Sequence, residues 1–148
     1  MRRFRFPLER VRHWRQSQLE VELARLEQLI SELNRMEAER AAMRRRLAEA
    51  EAALQSTAVA GRSVEAGRLR ELDDFRHYTG REEARIVTAE AEVQHRITQQ
   101  RQVVMRARRE VKLLDRLRER AYEKWDYEYQ REIEETASDL HLAQWSQR

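Results

Sequence analysis

The sequence of 148 residues contains no cysteine, only one proline and only three glycines. The absence of cysteine excludes disulfides and metal sites built on thiolates. Glycine and proline are the residues that most often interrupt helices, and both are scarce. More than half of the chain is Ala, Glu, Lys, Leu or Arg, a composition typical of long helices and coiled coils. We therefore expect an all-α protein.

Long apolar runs and catalytic signatures are missing as well. No stretch approaches the roughly 20 apolar residues that a bilayer crossing needs, and the N-terminus has no apolar run typical of a secretory signal. The sequence contains no HExxH, no GxSxG and no Gly-rich phosphate loop, and its four histidines lack metal-ligand spacing. We expect a cytoplasmic protein that is not an enzyme and that uses no cofactor, metal or small-molecule substrate.

Two stretches of the chain show heptad spacing. Pro7 suits the first helical position, because the N–H that it lacks would be unpaired there. The first seam contains Leu26, Leu29, Leu33, Met36, Met43, Leu47, Ala50 and Leu54, with Arg40 as a charged exception. The second seam contains Phe75, Ile86, Ala89, Val93, Ile97, Val104 and Val111. These patterns predict one domain over residues 1–148, with helix 1 over about 7–56, a turn at about 57–62 and helix 2 over about 63–145.

Folding the chain back at Gly61 brings the two seams together. Antiparallel partners then have numbers that sum to about 122, so Leu47 meets Phe75 and Arg40 meets Glu82. The agreement of the apolar and polar positions favours a long antiparallel two-helix coiled-coil hairpin within one chain. We expect Ser63 to cap the second helix.

In this register the chain from Arg116 onward has no intramolecular partner and forms a C-terminal overhang. A stripe of mostly apolar and aromatic residues continues along it, and it includes Leu114, Arg118, Tyr122, Trp125, Tyr129 and Ile133. Burial of each apolar side chain would contribute roughly 1.5–3 kcal/mol, whereas a lone helix in water is marginal. We therefore expect a cover: a fold-back of the last helix, a homodimer through the overhang, or docking into another protein with the aromatic residues as anchors.

Arginines form two basic blocks. The same register places Arg10, Arg12 and Arg15 beside Arg106, Arg108 and Arg109, which predicts a positive end. Such a surface would steer the protein toward an acidic partner, or it would be a solvated face with intermittent pairing. Nucleic acid fits poorly, because the arginines alternate with glutamates and no nucleic-acid motif accompanies them.

Three segments of the chain have a distinctive pattern. The opening segment is FRFPLERVRHWRQSQLEVELARL, the middle segment is LRELDDFRHYTGREEARI, and the last is RREVKLLDRLRERAYEKWDYEYQREIEETAS. With a Phe-x-Phe-x-Leu-x-x-Val-like start, an aromatic stretch after the turn and a C-terminal helix that is basic, then aromatic, then acidic, the sequence resembles the flagellar FliJ family. Together the three segments cover most of the chain.

The resemblance implies a soluble component of the flagellar type III export apparatus. It implies a stalk-like hairpin that binds the hexameric export ATPase and promotes its activity, and that also contacts the membrane export gate and export chaperones. Phe75 and Tyr78 match the family's gate-contacting stretch, and the protein would associate peripherally with the inner membrane. The alternatives are a passive coiled-coil scaffold, a homodimerisation protein, or the equivalent stalk of a virulence secretion system.

Overall fold

The computed structural model describes residues 3–146, and two helices account for nearly all of them. Helix α1 comprises Glu9–Val59 and helix α2 comprises Ala66–Ser146. No β-strand occurs within residues 3–146. The two long helices pack against each other, which confirms the expected all-α helical hairpin.

Helix α1 begins with a tight turn around Pro7. The Glu9 amide donates to the Phe6 carbonyl at 3.2 Å, and the Arg12 amide donates to the Leu8 carbonyl at 2.9 Å. Pro7 therefore lies in the first turn, where its missing N–H costs nothing. The acidic side chain of Glu9 follows in the first turn of α1, where it suits the positive end of the helix dipole.

The connection between the helices is set by Gly61. This glycine has φ of +71°, and its amide donates to the Ala58 carbonyl at 3.1 Å. The next amide, of Arg62, donates to the Thr57 carbonyl at 3.3 Å. This pair of bonds is a Schellman motif, in which glycine adopts the left-handed conformation that closes a helix.

The expectation that Ser63 caps α2 is wrong. The amides of Arg68 and Leu69 both donate to the carbonyl of Glu65, at 3.1 Å and 3.4 Å. Glu65 is therefore the residue that accepts the first bonds of the helix, and Ser63 lies two residues ahead of it. Because α1 continues to Val59 and α2 starts only at Ala66, the turn is centred later than the sequence pattern predicts.

The contacts divide the chain into two units. The central unit comprises residues 24–102, and the described part of the terminal unit comprises residues 3–23 and 103–146. In the central unit the seam residues Ile86, Val93 and Ile97 are buried, and Val93 is 1% exposed. The apolar seam residues of α1 in this unit, from Leu26 to Leu54, are only half-buried. Two helices alone bury one stripe and leave its margins in contact with water.

Charged residues interrupt the seam of the central unit. Arg40 Nη1 donates to Glu90 Oε2 at 2.8 Å, and Arg40 Nε donates to Glu83 Oε1 at 3.3 Å. Arg44 also binds Glu83 through Nε at 2.6 Å. The hydrogen bond from Arg44 lowers the pKa of the Glu83 carboxyl, and the bond from Arg40 acts in the same direction. Arg40 does find an acidic partner, but the partner is not Glu82.

The ion pairs also correct the predicted register. A fold at Gly61 places Glu51 opposite Glu71, whereas Arg76 Nε lies 2.7 Å from Glu51 Oε1. In the terminal unit the same predicted register places Arg12 opposite Glu110, whereas Arg12 Nε lies 2.7 Å from Asp115 Oδ1. Both differences amount to about one helical turn. The late turn between Val59 and Ala66 is the physical reason.

Two glycine substitutions should change stability in opposite directions. Gly61→Ala places a side chain in the left-handed region and should destabilise the central unit by about 1–2 kcal/mol. Gly80→Ala should stabilise it by about 1 kcal/mol, because Gly80 lies inside α2 and alanine favours the helix. An added Cβ at either position meets no atom within 4 Å, so backbone conformation alone separates them. Urea unfolding followed by helical circular dichroism measures both changes, and equal effects would contradict this assignment of the turn.

Candidate partner-binding site

Four aromatic rings form a cluster in the terminal unit. Trp125 stacks on Tyr129 with centroids 5.0 Å apart and an interplanar angle of 15°. Tyr122 lies 5.8 Å from Trp125, and Phe4 packs edge-on against Tyr122 at 5.3 Å and tilted against Trp125 at 5.8 Å. Phe4, Tyr122, Trp125 and Tyr129 are called the aromatic cluster below.

Helical spacing aligns the three α2 members of the cluster. Residues separated by three, four and seven positions lie on one face of a helix, which is the relation among Tyr122, Trp125 and Tyr129. Phe4 comes from the irregular segment before α1. Aromatic pairs of this kind contribute about 0.5–1.5 kcal/mol each beyond the area that they bury, so the cluster holds this segment against α2.

The overhang therefore begins later than the sequence predicts. We expected no intramolecular partner from Arg116 onward, but Arg118 Nε lies 3.4 Å from Glu9 Oε2. The guanidinium of Arg118 also lies 5.9 Å from the centre of the Phe4 ring, within reach of a cation–π interaction. The shifted register and the extra residues before α1 extend the paired part of α2 to the aromatic cluster.

Beyond the cluster, residues 130–146 are all exposed, and this segment is called the exposed end. It carries apolar side chains with no cover among the described residues, namely Ile133, Leu140, Leu142 and Trp145. Because α2 is one continuous helix to Ser146, the exposed end does not fold back on its own chain, and that alternative is excluded for residues 130–146. Its charged side chains are mainly acidic, namely Glu132, Glu134, Glu135 and Asp139 against Arg131.

The other predicted residues of the stripe differ in how far they are exposed to solvent. Leu114 is buried in the interface between the helices, so it supports the fold and offers no free surface. Tyr122 is 48% exposed and Ile133 is 38% exposed, which leaves both accessible to a partner. Tyr127 lies two positions from both Trp125 and Tyr129 and therefore outside the stripe; it is 72% exposed and makes no ring contact with residues 3–146.

The predicted juxtaposition of two basic blocks is wrong in its detail. Arg12 faces Asp115, and Arg15 Nη1 lies 2.6 Å from Glu110 Oε2. The hydrogen bond with Asp115 raises the pKa of the Arg12 guanidinium above its usual value. Opposite charges, rather than like charges, therefore meet across the helices here. The predicted basic end has four further arginines, namely Arg10, Arg106, Arg108 and Arg109. None of these four makes an ion pair within residues 3–146.

Phe75 and Tyr78, the candidates for contact with an export gate, differ in their surroundings. Phe75 is half-buried and lines a groove of about 410 Å³ together with Leu54 and Leu72. Tyr78 is exposed to solvent. Both lie in the central unit, in the third and fourth turns of α2. Phe75 belongs to the seam side of the helix, and Tyr78 is the accessible member of the pair.

Phe4 is the cluster residue that sequence reasoning missed. Heptad periodicity predicts pairing only between residues of the two helices, and Phe4 precedes α1. The sequence does contain a signal for Phe4. A Phe-x-Phe run directly before the start of a helix places apolar rings close to the partner helix. Extending the antiparallel pairing past Pro7 would have brought Phe4 close to the aromatic stretch of α2.

Residues 3–146 contain no group of three or more His, Asp or Glu side chains arranged to hold a metal ion. None of the described helices is long and apolar enough to cross a membrane.

These features define an all-α helical hairpin protein whose second helix carries an aromatic cluster and then an exposed acidic end. A family model described as flagellar FliJ protein matches residues 4–145. The chain belongs to the FliJ family and is a component of the flagellar export apparatus. Comparisons with curated proteins and with solved structures each found no match.

Loss of Phe4 should uncover Trp125. We consider Phe4→Ala in a chain in which Trp14 and Trp145 are replaced by phenylalanine, so that Trp125 alone emits. The emission should shift to the red and acrylamide should quench it more strongly, because Trp125 loses its contact with the Phe4 ring. Tyr127→Ala is the matched control, since Tyr127 makes no ring contact, and it should leave both signals unchanged. Unaltered quenching in the Phe4→Ala variant would show that Phe4 does not pack on Trp125 in solution.

Proposed function

We propose that this protein is a non-enzymatic, stalk-like component of flagellar protein export that binds the hexameric export ATPase and promotes its activity. Membership of the FliJ family supports the place in the export apparatus. The ATPase-binding part of the proposal rests on the surface formed by the aromatic cluster and the exposed end that follows it. No other described segment of the chain combines large aromatic anchors with a helix that lacks an intramolecular partner.

The shape of this surface suits a ring. A single helix is about 10–12 Å wide with its side chains, and residues 130–146 extend it by about 25 Å. Such an end can enter the central opening of a hexamer, where many subunits contact it from the side. Aromatic residues often dominate the energetics of interfaces, and Trp125 and Tyr129 present stacked rings at the start of the exposed end.

Charge would guide the approach. The exposed end is rich in carboxylates, and the arginines that lack ion pairs lie farther back in the terminal unit. Complementary charges raise association rates and fix orientation more than they raise affinity. We infer that the protein raises ATPase activity by holding the ring in an assembled, asymmetric state, since one off-centre helix contacts the six subunits unequally.

Further contacts belong to the same proposal. Tyr78 is the accessible aromatic residue of the central unit and is our first candidate for contact with the export gate. Phe75, three positions earlier in the sequence, is the second candidate. Binding to export chaperones and peripheral association with the inner membrane at the flagellar base follow from the same role. The proposal involves no nucleic acid and no small-molecule substrate.

Titration of the export ATPase with this protein tests the proposal. The wild type should stimulate ATP hydrolysis. A variant with Tyr122→Ala, Trp125→Ala and Tyr129→Ala should need at least roughly tenfold more protein for the same stimulation, since loss of even one anchor corresponds to about 1.4 kcal/mol or more. Helical circular dichroism checks that the variant remains folded.

Two controls sharpen this experiment. Tyr127→Ala removes an aromatic side chain from the same segment but from outside the cluster, and it should stimulate like the wild type. A chain that ends at residue 129 retains the aromatic cluster and lacks the exposed end, and it should stimulate weakly. If the triple variant and the shortened chain both stimulate normally, the ATPase-binding surface lies elsewhere and a passive scaffold becomes the better account.

A further inference from the structure

A second apolar surface lies in the terminal unit, away from the aromatic cluster. Trp14 is 54% exposed and Leu113 is 59% exposed, and Val11 and Leu117 are exposed as well. Two of these residues belong to α1 and two belong to α2. Large apolar side chains grouped at a surface mark interaction sites more often than single ones do. Val11, Trp14, Leu113 and Leu117 are called the apolar patch.

One arginine connects the two halves of the patch. The guanidinium of Arg15 lies 4.9 Å from the centre of the Trp14 ring, and its Nη1 lies 2.6 Å from Glu110 Oε2. Leu113 and Leu117 are three and seven positions after Glu110, so they share its face of α2. Val11 is three positions before Trp14 on α1. The four apolar side chains therefore border the Arg15–Glu110 pair on one side of the unit.

The rim of the patch is positive. Arg10 lies one turn from Trp14, and Arg106 lies one turn from Glu110. Neither arginine makes an ion pair within residues 3–146, whereas Glu110 is neutralised by Arg15. A surface with an apolar centre and unpaired cations at its edge fits a helix that exposes both apolar side chains and carboxylates.

The exposed end has this chemistry. Its exposed apolar side chains lie on two faces: Ile133 and Leu140 are seven positions apart on one face, and Leu142 and Trp145 are three positions apart on the other. Among its carboxylates, those of Glu132, Glu134 and Asp139 make no ion pair within the described residues. Its length of about 25 Å exceeds the roughly 17 Å from Arg106 to Leu117 along α2. The exposed end therefore offers the length, the carboxylates and an apolar face that the patch requires.

The exposed end cannot reach the patch of its own chain, because α2 is continuous from Ala66 to Ser146. A second copy can supply it. We propose that the apolar patch is the docking surface for residues 130–146 of another molecule of this protein. If each copy inserts its exposed end onto the other's patch, the contact forms twice around a two-fold axis and closes as a dimer.

This dimer does not depend on the proposed ATPase binding, but it would compete with it. The exposed end that a ring would receive is the segment that the second copy covers. Dimerisation would then hold the protein in a state that cannot bind the ring, and a ring at sufficient concentration would separate the dimer by mass action.

Sedimentation of the purified full chain tests the dimer. The mass should rise with protein concentration from that of one chain to that of two. A variant with Trp14→Glu and Leu113→Glu should remain a monomer over the same range, because its new carboxylates face an acidic helix. Leu69→Glu changes an exposed leucine of the central unit and should dimerise like the wild type. Circular dichroism verifies that each variant is helical.

A mixing experiment separates this arrangement from other dimers. The Trp14→Glu, Leu113→Glu chain keeps its exposed end, and a chain that ends at residue 129 keeps its patch. Neither should associate alone, but their mixture should form a heterodimer through the one intact contact. If dimers form instead by pairing two exposed ends, the Trp14→Glu, Leu113→Glu chain would dimerise by itself and the mixture would contain no heterodimer, and that result would overturn the proposal. A wild type that stays monomeric, or a double variant that dimerises normally, would overturn it as well.

Discussion

A pair of helices can bury only one stripe of each partner, and this constraint governs the whole molecule. With no third layer, every side chain outside the stripe must be solvated, paired with a charge, or covered by another molecule. The buried stripe of α2 contains small and branched residues such as Val93, Ile97 and Val104. Around it, arginines and glutamates of the two helices pair across the margins, as Arg40 and Glu90 do. Among the surfaces that neither arrangement accounts for are the aromatic cluster, the exposed end and the apolar patch.

The register of the two helices decides where these surfaces lie. The left-handed Gly61 ends α1, and the distance along the chain from there to Ala66 fixes which residues face each other. A shift of one turn brings Glu9 to Arg118 and Phe4 to Trp125. The aromatic rings of α2 are therefore partly covered by the protein's own N-terminal segment, and any partner of Trp125 must either accept Phe4 as part of the surface or displace it.

Much of the fold could be predicted from the sequence, because heptad spacing and the scarcity of glycine and proline act locally. Both helices, the identity of Val93 and Ile97 as seam residues, and the aromatic stripe follow from periodicity. The register did not follow, since many offsets of a heptad pattern pair apolar with apolar residues and the end of α1 depends on hydrogen bonds around Gly61. Phe4 was missed because periodicity is not defined for a segment outside a helix.

The function that we propose requires that the aromatic face of α2 contacts the export ATPase ring. Site-specific photo-crosslinking in flagellated cells tests it most directly, with a benzophenone side chain placed at Tyr129 in one strain and at Tyr127 in another. We expect a crosslinked product with the ATPase from position 129 and much less from position 127, which lies outside the cluster. Equal products from both positions, or none from position 129, would contradict it.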